Sequence, residues 1–231
     1  MRRAKPQARG APEVSQYATE PELMALLESS RLTMLLERYG CAVGLHEVRT
    51  RFLGNIASPA QDARASDAVR QLWGGEFPHE GNLQVLDELL SVLVDGLWNR
   101  IDAQHSGGKP FKLWVVERAH TRDSLQQLAR VRTQELDGFF KGLFGTEQQL
   151  ELPPAASRAL DVLAAIRDLL SGVMELLADT RQQAKAQDLK SAARSLRKLS
   201  EHMEREINKA FRSCRRPGAP ASRVASKPTL H

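Results

Sequence analysis

The chain has 231 residues, of which 42% are apolar and 26% charged, with a formal net charge of +5. This apolar fraction is ordinary for a globular protein that buries a core. No apolar run approaches the ~18 residues of a membrane-spanning helix, and the basic N-terminus lacks the apolar stretch of a secretory signal. Two cysteines, Cys41 and Cys214, are too few for a disulfide framework and favour reduced thiols in a cytoplasmic protein.

The charge is distributed unevenly along the chain. Residues 181–231 hold 13 Lys and Arg against 4 acidic residues, whereas residues 10–180 hold 16 basic and 24 acidic residues. The first nine residues add four more basic groups. Basic ends on an acidic body are typical of segments that bind a polyanion, or that simply keep the chain in solution.

The first predicted elements are a lead segment and three helices. Residues 1–18 are polar and contain proline and glycine, which predicts a disordered, basic lead. Thr19 and Glu22 form a capping box, which is typical of a helix start. A second helix over 45–57 carries apolar side chains at spacings of three and four, and a shorter helix over about 62–73 follows.

The clearest helical periodicity comes next, and it predicts a central, mostly buried helix. Its apolar face is formed by Leu83, Leu86, Leu90, Leu93, Leu97 and Ile101. Three more helices are predicted over about 121–145, 155–178 and 185–213. Gly138 and Gly142 stand four residues apart in the first of these. Because glycine weakens a helix interior, we interpret the two as the contact point of a closely packed helix rather than as a tolerated irregularity near the helix end.

These elements predict an all-α fold. No segment alternates at period two for long enough to predict a strand, and short connections favour antiparallel neighbours. We expect a single orthogonal or antiparallel bundle of about six to seven helices with disordered termini. The expected organisation is a helical domain over 19–180, a basic amphipathic helix over 181–216 and a disordered tail over 217–231. The core is expected to contain Leu86, Leu90, Leu93, Leu97, Ile101, Phe139, Leu143, Leu163, Ile166 and Leu170.

A search for catalytic motifs is negative. Neither a G-x-S-x-G elbow nor a phosphate-binding loop occurs. The run HEVRT at 46–50 lacks the second histidine of a zinc protease, because Thr50 stands there, and zinc needs three or four converging ligands. Asp87 and Glu88 are predicted to lie on a solvated helix face rather than in a paired-acid site. We therefore expect no enzymatic activity, no metal and no cofactor.

The loop QLWGGEFPHE at 71–80 crowds Trp73, two glycines and Phe77 into one connection. Such a loop forms either the rim of a ligand site or a corner between two helices. Glycines allow unusual backbone conformations and the aromatic rings supply apolar area. Without a basic, hydroxyl-rich or metal-binding set beside it, we interpret the loop as a structural corner.

The last predicted helix combines an apolar stripe with a basic surface. The stripe contains Leu189, Leu196, Leu199, Met203, Ile207 and Phe211. The candidate polyanion-binding residues are Lys190, Arg194, Arg197, Lys198, Arg205, Lys209, Arg212, Arg215 and Arg216. Glu201, Glu204 and Glu206 can pair with bases three or four residues away. The helix is therefore either a solvated element docked by its stripe or a surface for RNA, DNA or an acidic protein. The segment has no tyrosine or tryptophan for base stacking.

Three stretches resemble the YecA/YgfB-like family of bacterial proteins: LLERYGCAVGLHEVRTRFLGNIASP joined to QLWGGEFP, ELDGFFKGLFG, and LELPPAASRALDVLAAI. Thr50 departs from the glycine usual in that family, and Cys214 stands alone where longer members carry a cysteine-rich, SecA-like zinc module. The resemblance implies an all-α fold, a bacterial cytoplasmic location and no accepted enzymatic activity. It also implies action through macromolecular partners, in gene regulation or near the export machinery.

Two functional hypotheses follow. The first is a non-enzymatic interaction or adaptor protein that binds a protein partner through its helical body and basic C-terminal helix. The alternative is a nucleic-acid-binding protein, regulatory or ribosome-associated, that acts mainly through that helix and whose affinity is dominated by phosphate contacts. Neither hypothesis involves a membrane.

Overall fold

The structure is a computed structural model that describes residues 20–59, 64–79, 81–116, 120–145, 150–179 and 185–215, with side chains from residue 28 onward. These ranges contain seven helices and no strand, which confirms the predicted all-α fold. The predicted disordered ends and the capping residue Thr19 lie outside the described residues. No helix in the described ranges is long and apolar enough to cross a membrane.

The helices follow the predicted order. In chain order they are α1 (Glu20–Arg38), α2 (Leu45–Ala57), α3 (Ala65–Arg70, continued by a 3-10 turn, Gln71–Trp73), α4 (Leu83–Leu90, a π-helical stretch Ser91–Trp98, and Asn99–Ser106), α5 (Arg122–Phe144), α6 (Pro154–Ala178) and α7 (Ala186–Cys214). One continuous apolar core connects them, and side chains from α1 to α7 contribute to it.

The closest contact in the fold is the crossing of α2 and α5, where three glycines let the two backbones touch. A Cβ at Gly138 would lie 2.3 Å from the Glu47 carbonyl oxygen, and one at Gly142 would lie 2.0 Å from that of Arg51. A Cβ at Gly54 of α2 would in turn meet the backbone of α5 at 2.3 Å. The predicted close approach at Gly138 and Gly142 is thereby confirmed.

The π-helical stretch changes which leucines of α4 are buried. The fully buried side chains are spaced by four, at Leu89 and Leu93, and the spacing continues through Leu97 and Ile101. The wider π-helical turn keeps such a series on one face, whereas an α-helix of 3.6 residues per turn would rotate it away. The predicted inclusion of Leu86 in the core is therefore wrong, since it is half-buried, whereas Leu90 is half-buried and packs against the core. Leu83, assigned to the same face, is 76% exposed. The other eight predicted core residues are buried.

The loop after α3 is a corner that closes the end of α1. Trp73 Nε1 donates a hydrogen bond of 2.8 Å to the carbonyl oxygen of Tyr39, directly after α1. Gly74 and Gly75 have φ of 80° and 110°, which side chains rarely adopt. Phe77 packs against the core. These contacts support the interpretation of this loop as a structural corner.

The second layer consists of α6 and α7, which pack against each other and against α5. Proline begins α6, where its missing N–H costs no helical hydrogen bond. At the other end of α6, Arg122 donates hydrogen bonds of 2.8 and 2.7 Å to the carbonyl oxygens of Leu177 and Asp179. A cation there stabilises the helix C-terminus. This layer positions the predicted basic residues.

Candidate polyanion-binding face

The apolar side of α7 is docked on the body. Leu196, Met203, Ile207 and Phe211 of the predicted stripe are buried, while Leu189 and Leu199 are half-buried. The C-terminal helix is thus attached along its whole length, and its opposite side faces outward.

That outward side carries most of the predicted basic residues. Seven of them are exposed, and we call this set the basic face: Lys190, Arg194, Arg197, Lys198, Arg205, Lys209 and Arg212. Arg215 lies just beyond the helix and is half-buried, and Arg216 lies outside the described residues. Helical periodicity gathers the basic face into one stripe, which is about 33 Å long at 1.5 Å per residue.

Few carboxylates neutralise the basic face. Lys209 Nζ lies 3.2 Å from a carboxylate oxygen of Glu206. The six other members form no ion pair with any residue that the structure describes. A row of uncompensated charges of one sign attracts a partner of the opposite sign and accelerates its association.

The acidic residues of α7 compensate less of this charge than the sequence suggests. Only Glu206 pairs with a base of its own helix within the described residues. Glu204 instead holds Lys112, whose Nζ lies 2.7 Å away, and Glu201 forms no ion pair with a described residue. The expected local compensation is therefore found in one pair, Glu206–Lys209.

Arg215 anchors α7 to α4. Its guanidinium lies 3.0 Å from the Asp102 carboxylate and donates a second hydrogen bond of 3.1 Å to the Ser106 hydroxyl. It also lies over the Phe211 ring, 5.8 Å from the centroid. These contacts give Arg215 a role in attachment.

An extended segment, residues 109–116, crosses between α5 and α7 and is held by side chains in place of a neighbouring strand. On the α7 side, the Asn208 amide accepts from the Phe111 N–H at 2.8 Å and donates to the Phe111 carbonyl at 3.0 Å. One turn earlier, Glu204 accepts from the Leu113 N–H at 3.2 Å. Four helical residues rise about as far as two extended residues, so the two series stay in register.

The opposite edge of this segment is held by a buried ion pair of α5. Arg132 Nη1 lies 2.5 Å from Glu135 Oε2, and both side chains are buried. Glu135 accepts from the Trp114 N–H at 2.8 Å, while Arg132 donates to the Trp114 carbonyl at 2.9 Å and to Ser200 of α7 at 3.0 Å. Burial raises the pKa of Glu135, and Arg132, the Trp114 N–H and Arg49 oppose that shift. The pair therefore connects three elements: α5, the extended segment and α7.

A groove of about 320 Å³ lies between the extended segment, α5 and α7. Its apolar wall includes Trp114, Val115 and Leu128, and Arg197 of the basic face lines its α7 side. Val115 is 85% exposed there. The groove thus joins an apolar surface to one edge of the basic face.

The residues considered for catalysis serve structural contacts. His46 packs edge-on against Trp114, and burial lowers its pKa. Glu47 pairs with Lys141 at 2.7 Å, and Thr50 is buried with its hydroxyl bonded to the carbonyl of His46 at 3.2 Å. No group of three or more potential metal ligands converges among the described residues.

The two neighbouring acidic residues of α4, Asp87 and Glu88, have different environments. Asp87 is exposed, whereas Glu88 accepts from the Tyr39 hydroxyl at 2.5 Å and pairs with Arg38 at 3.1 Å. The hydrogen bond to Glu88 raises the pKa of Tyr39. Glu88 therefore joins α4 to the end of α1.

The thiols show no activation. Burial raises the pKa of Cys214 to about 11 and also raises that of Cys41. Since the thiolate is the nucleophilic form, burial makes both thiols less reactive than an exposed cysteine.

Reasoning from the sequence missed the buried Arg132–Glu135 pair and the segment it holds. Their only local signal is a basic and an acidic residue three apart on a helix, which usually indicates an exposed pair.

Comparisons of the chain with protein-family models, with curated proteins and with solved structures find no match.

Proposed function

We propose that this chain is a non-enzymatic interaction protein of the YecA/YgfB-like type that acts in the bacterial cytoplasm and binds an acidic protein surface through the basic face. The observation that carries the proposal is the row of six exposed cations without ion pairs among the described residues. The family and the location rest on the resemblance of roughly residues 32–178.

Two further features support an interaction role. The buried ion pair Arg132–Glu135 is engaged in holding the extended segment and α7. The docked apolar side of α7 keeps the basic face rigid, so a partner would bind without ordering a flexible arm. A preorganised surface lowers the entropic cost of association.

The test is an affinity capture from bacterial lysate with matched charge variants. The binding variant is Arg194→Glu, Arg197→Glu and Arg212→Glu, on the edge of the basic face away from α6. The control variant is Arg31→Glu, Arg64→Glu and Arg130→Glu, which makes the same change in charge at exposed positions without ion pairs among the described residues. Circular dichroism verifies that both variants fold.

The proposal predicts a protein that the wild type and the control variant retain and the binding variant loses. Retention by all three to the same extent would exclude the basic face as the binding surface. Raising the salt concentration is expected to weaken capture, because exposed charges are screened beyond about 8–10 Å at physiological ionic strength.

Nucleic acid is the second candidate partner. Lys198, Arg205 and Arg212 follow one another at intervals of seven residues, about 10.5 Å along the helix axis. This row of cations supports contacts to successive phosphates. No aromatic side chain lies on the basic face, so base stacking and sequence preference are expected to be weak.

A salt titration separates the two candidates. Binding to random-sequence RNA and to a DNA duplex is measured by fluorescence anisotropy. Each phosphate contact is expected to add ~0.7–0.9 to the slope of log K against log salt. A nucleic-acid affinity that the binding variant loses and the control variant keeps would favour this candidate. No measurable binding to either probe would leave the acidic protein surface as the partner.

A further inference from the structure

The outward side of α6 carries an apolar stripe that is separate from the core. Leu169 and Leu176, seven residues apart, are 58% and 64% exposed. Ala165, which precedes them, and Gly172, which lies between them, are exposed as well. Positions 165, 169, 172 and 176 alternate steps of four and three, which is the seam of a coiled coil. No described residue covers these two leucines.

An acidic row lies along one edge of this stripe. Asp161, Asp168 and Glu175 repeat at intervals of seven, and the last two each precede a seam position by one residue. All three are exposed, and none forms an ion pair with another described residue. In coiled coils, charges at this position form salt bridges with the partner helix and determine the pairing.

The other edge of the stripe faces α7. Arg167 of α6 is bound to Asp137 of α5 at 2.6 Å, which places α5 on one flank of α6 and α7 on the other. On α7, Ser200 contacts α5 through Arg132. The half-buried Leu199 therefore lies on the side of α7 that faces α6. The part of the basic face nearest α6 lies next to this side of α7. It is formed by Lys198, Arg205 and Lys209.

The outer surface of α6 and α7 thus carries the acidic row, the apolar stripe and the basic edge of α7, in that order. We propose that it binds a second copy of the chain in a two-fold dimer whose axis runs parallel to α6 and α7. Rotation about such an axis places the acidic row of one copy opposite the basic edge of the other. Rotation about an axis across the helices would place like charges together, so the charge pattern selects the first arrangement.

In this dimer, Leu169 and Leu176 of the two copies pack together at the centre, and the salt bridges flank them. Burial of apolar surface supplies the main stabilisation, and the charge pattern determines the geometry. The distal edge of the basic face, with Arg194, Arg197 and Arg212, stays exposed on each copy. The dimer uses Lys198, Arg205 and Lys209 of the basic face, whereas the variant that tests the proposed function changes Arg194, Arg197 and Arg212, so failure of one proposal can be distinguished from failure of the other.

Sedimentation velocity of the full chain over about a hundredfold range of concentration tests the association. The expected result is a species of twice 25.7 kDa that dissociates on dilution. The variant Leu169→Glu with Leu176→Glu is expected to be monomeric. The control Leu83→Glu, at a leucine that is 76% exposed elsewhere, is expected to dimerise like the wild type. A wild type that is monomeric at every concentration would overturn the proposal.

The arrangement is tested by two charge-reversed variants. One carries Asp161→Lys, Asp168→Lys and Glu175→Lys, and the other carries Lys198→Glu, Arg205→Glu and Lys209→Glu. Each variant alone places like charges opposite each other and is expected to be monomeric, whereas an equal mixture restores both contacts and is expected to dimerise. If each variant dimerises alone, or the mixture stays monomeric, the two-fold arrangement is wrong. Should either variant be unfolded by circular dichroism, the wild-type and leucine measurements still decide the association.

Discussion

The two halves of α5 make contacts of opposite kinds. The C-terminal half presents Gly138 and Gly142, and the backbone of α2 lies directly on them. The N-terminal half presents Arg132 and Glu135, and these side chains hold the extended segment and α7 through ion-pair and hydrogen-bond contacts. The first contact excludes side chains, whereas the second depends on them. The second contact also holds α7 with its basic face outward.

The largest expected effect concerns the polar half. Arg132→Ala removes one partner of a buried pair and leaves Glu135 buried without its counter-charge. Such a change typically destabilises a protein by about 3–5 kcal/mol. Urea unfolding measures the loss. The control Arg130→Ala, on the exposed side of the same helix, is expected to cost less than about 0.5 kcal/mol. Equal effects of the two would show that the buried pair does not hold the layers together.

The docking of α7 is tested through its apolar side. Met203 is fully buried. Met203→Ala is expected to destabilise the chain by about 2–5 kcal/mol, because it removes apolar contacts and leaves a cavity. Leu83→Ala, at an exposed leucine, serves as the control and is expected to have little effect. A loss below about 0.5 kcal/mol for Met203→Ala would mean that α7 is not part of the core.

The glycine half is tested with a matched pair of substitutions. At Gly138 a methyl group would collide with the Glu47 carbonyl and the Thr50 hydroxyl, each at 2.3 Å. Gly138→Ala is therefore expected to cost about 1–3 kcal/mol or more. Gly172 is exposed within a helix and has no atom within 4 Å of an added Cβ, so Gly172→Ala is expected to gain about 0.5–1 kcal/mol. A gain at both positions would refute the close crossing.

The smallest expected effect is a dependence on pH. Burial lowers the pKa of His105, with Arg215 as the second cause, and burial also lowers that of His46. Below the unfolded value of 6.5, the unfolded chain binds protons that these folded histidines do not. Stability is therefore present above pH 6.5 and is lost as the pH falls toward the lowered values. Thermal unfolding across this window should show a smaller slope for His105→Gln than for the wild type.

The helices and the basic face follow from local patterns, and for this reason the sequence predicts them well. Two glycines inside a helix with otherwise bulky positions already indicate a close contact. The spacing of Lys198, Arg205 and Arg212 opposite an apolar stripe indicates an outward charged side. These patterns involve neighbours within one helix.

Features that join distant segments have no such signal. Glu204 pairs with Lys112, which is 92 positions away in the sequence, and Arg215 pairs with Asp102, which is 113 positions away. The buried face of α4 was mispredicted for another reason. A spacing of three and four assumes an α-helix throughout, whereas the π-helical stretch Ser91–Trp98 keeps the buried Leu93 and Leu97 in line with Leu89 rather than with Leu86 or Leu90.

The crossing of α2 and α5 also bears on the order of folding. Glu47 and Lys141, which pair across it, are 94 positions apart, and α3 and α4 lie within that loop. Closing such a loop costs conformational entropy, and contacts this distant slow folding. Two backbones without intervening side chains contact each other only when the helices are already aligned, so we expect the crossing to gain its stabilisation after the transition state. In stopped-flow experiments Gly138→Ala is accordingly expected to accelerate unfolding and to leave the refolding rate almost unchanged.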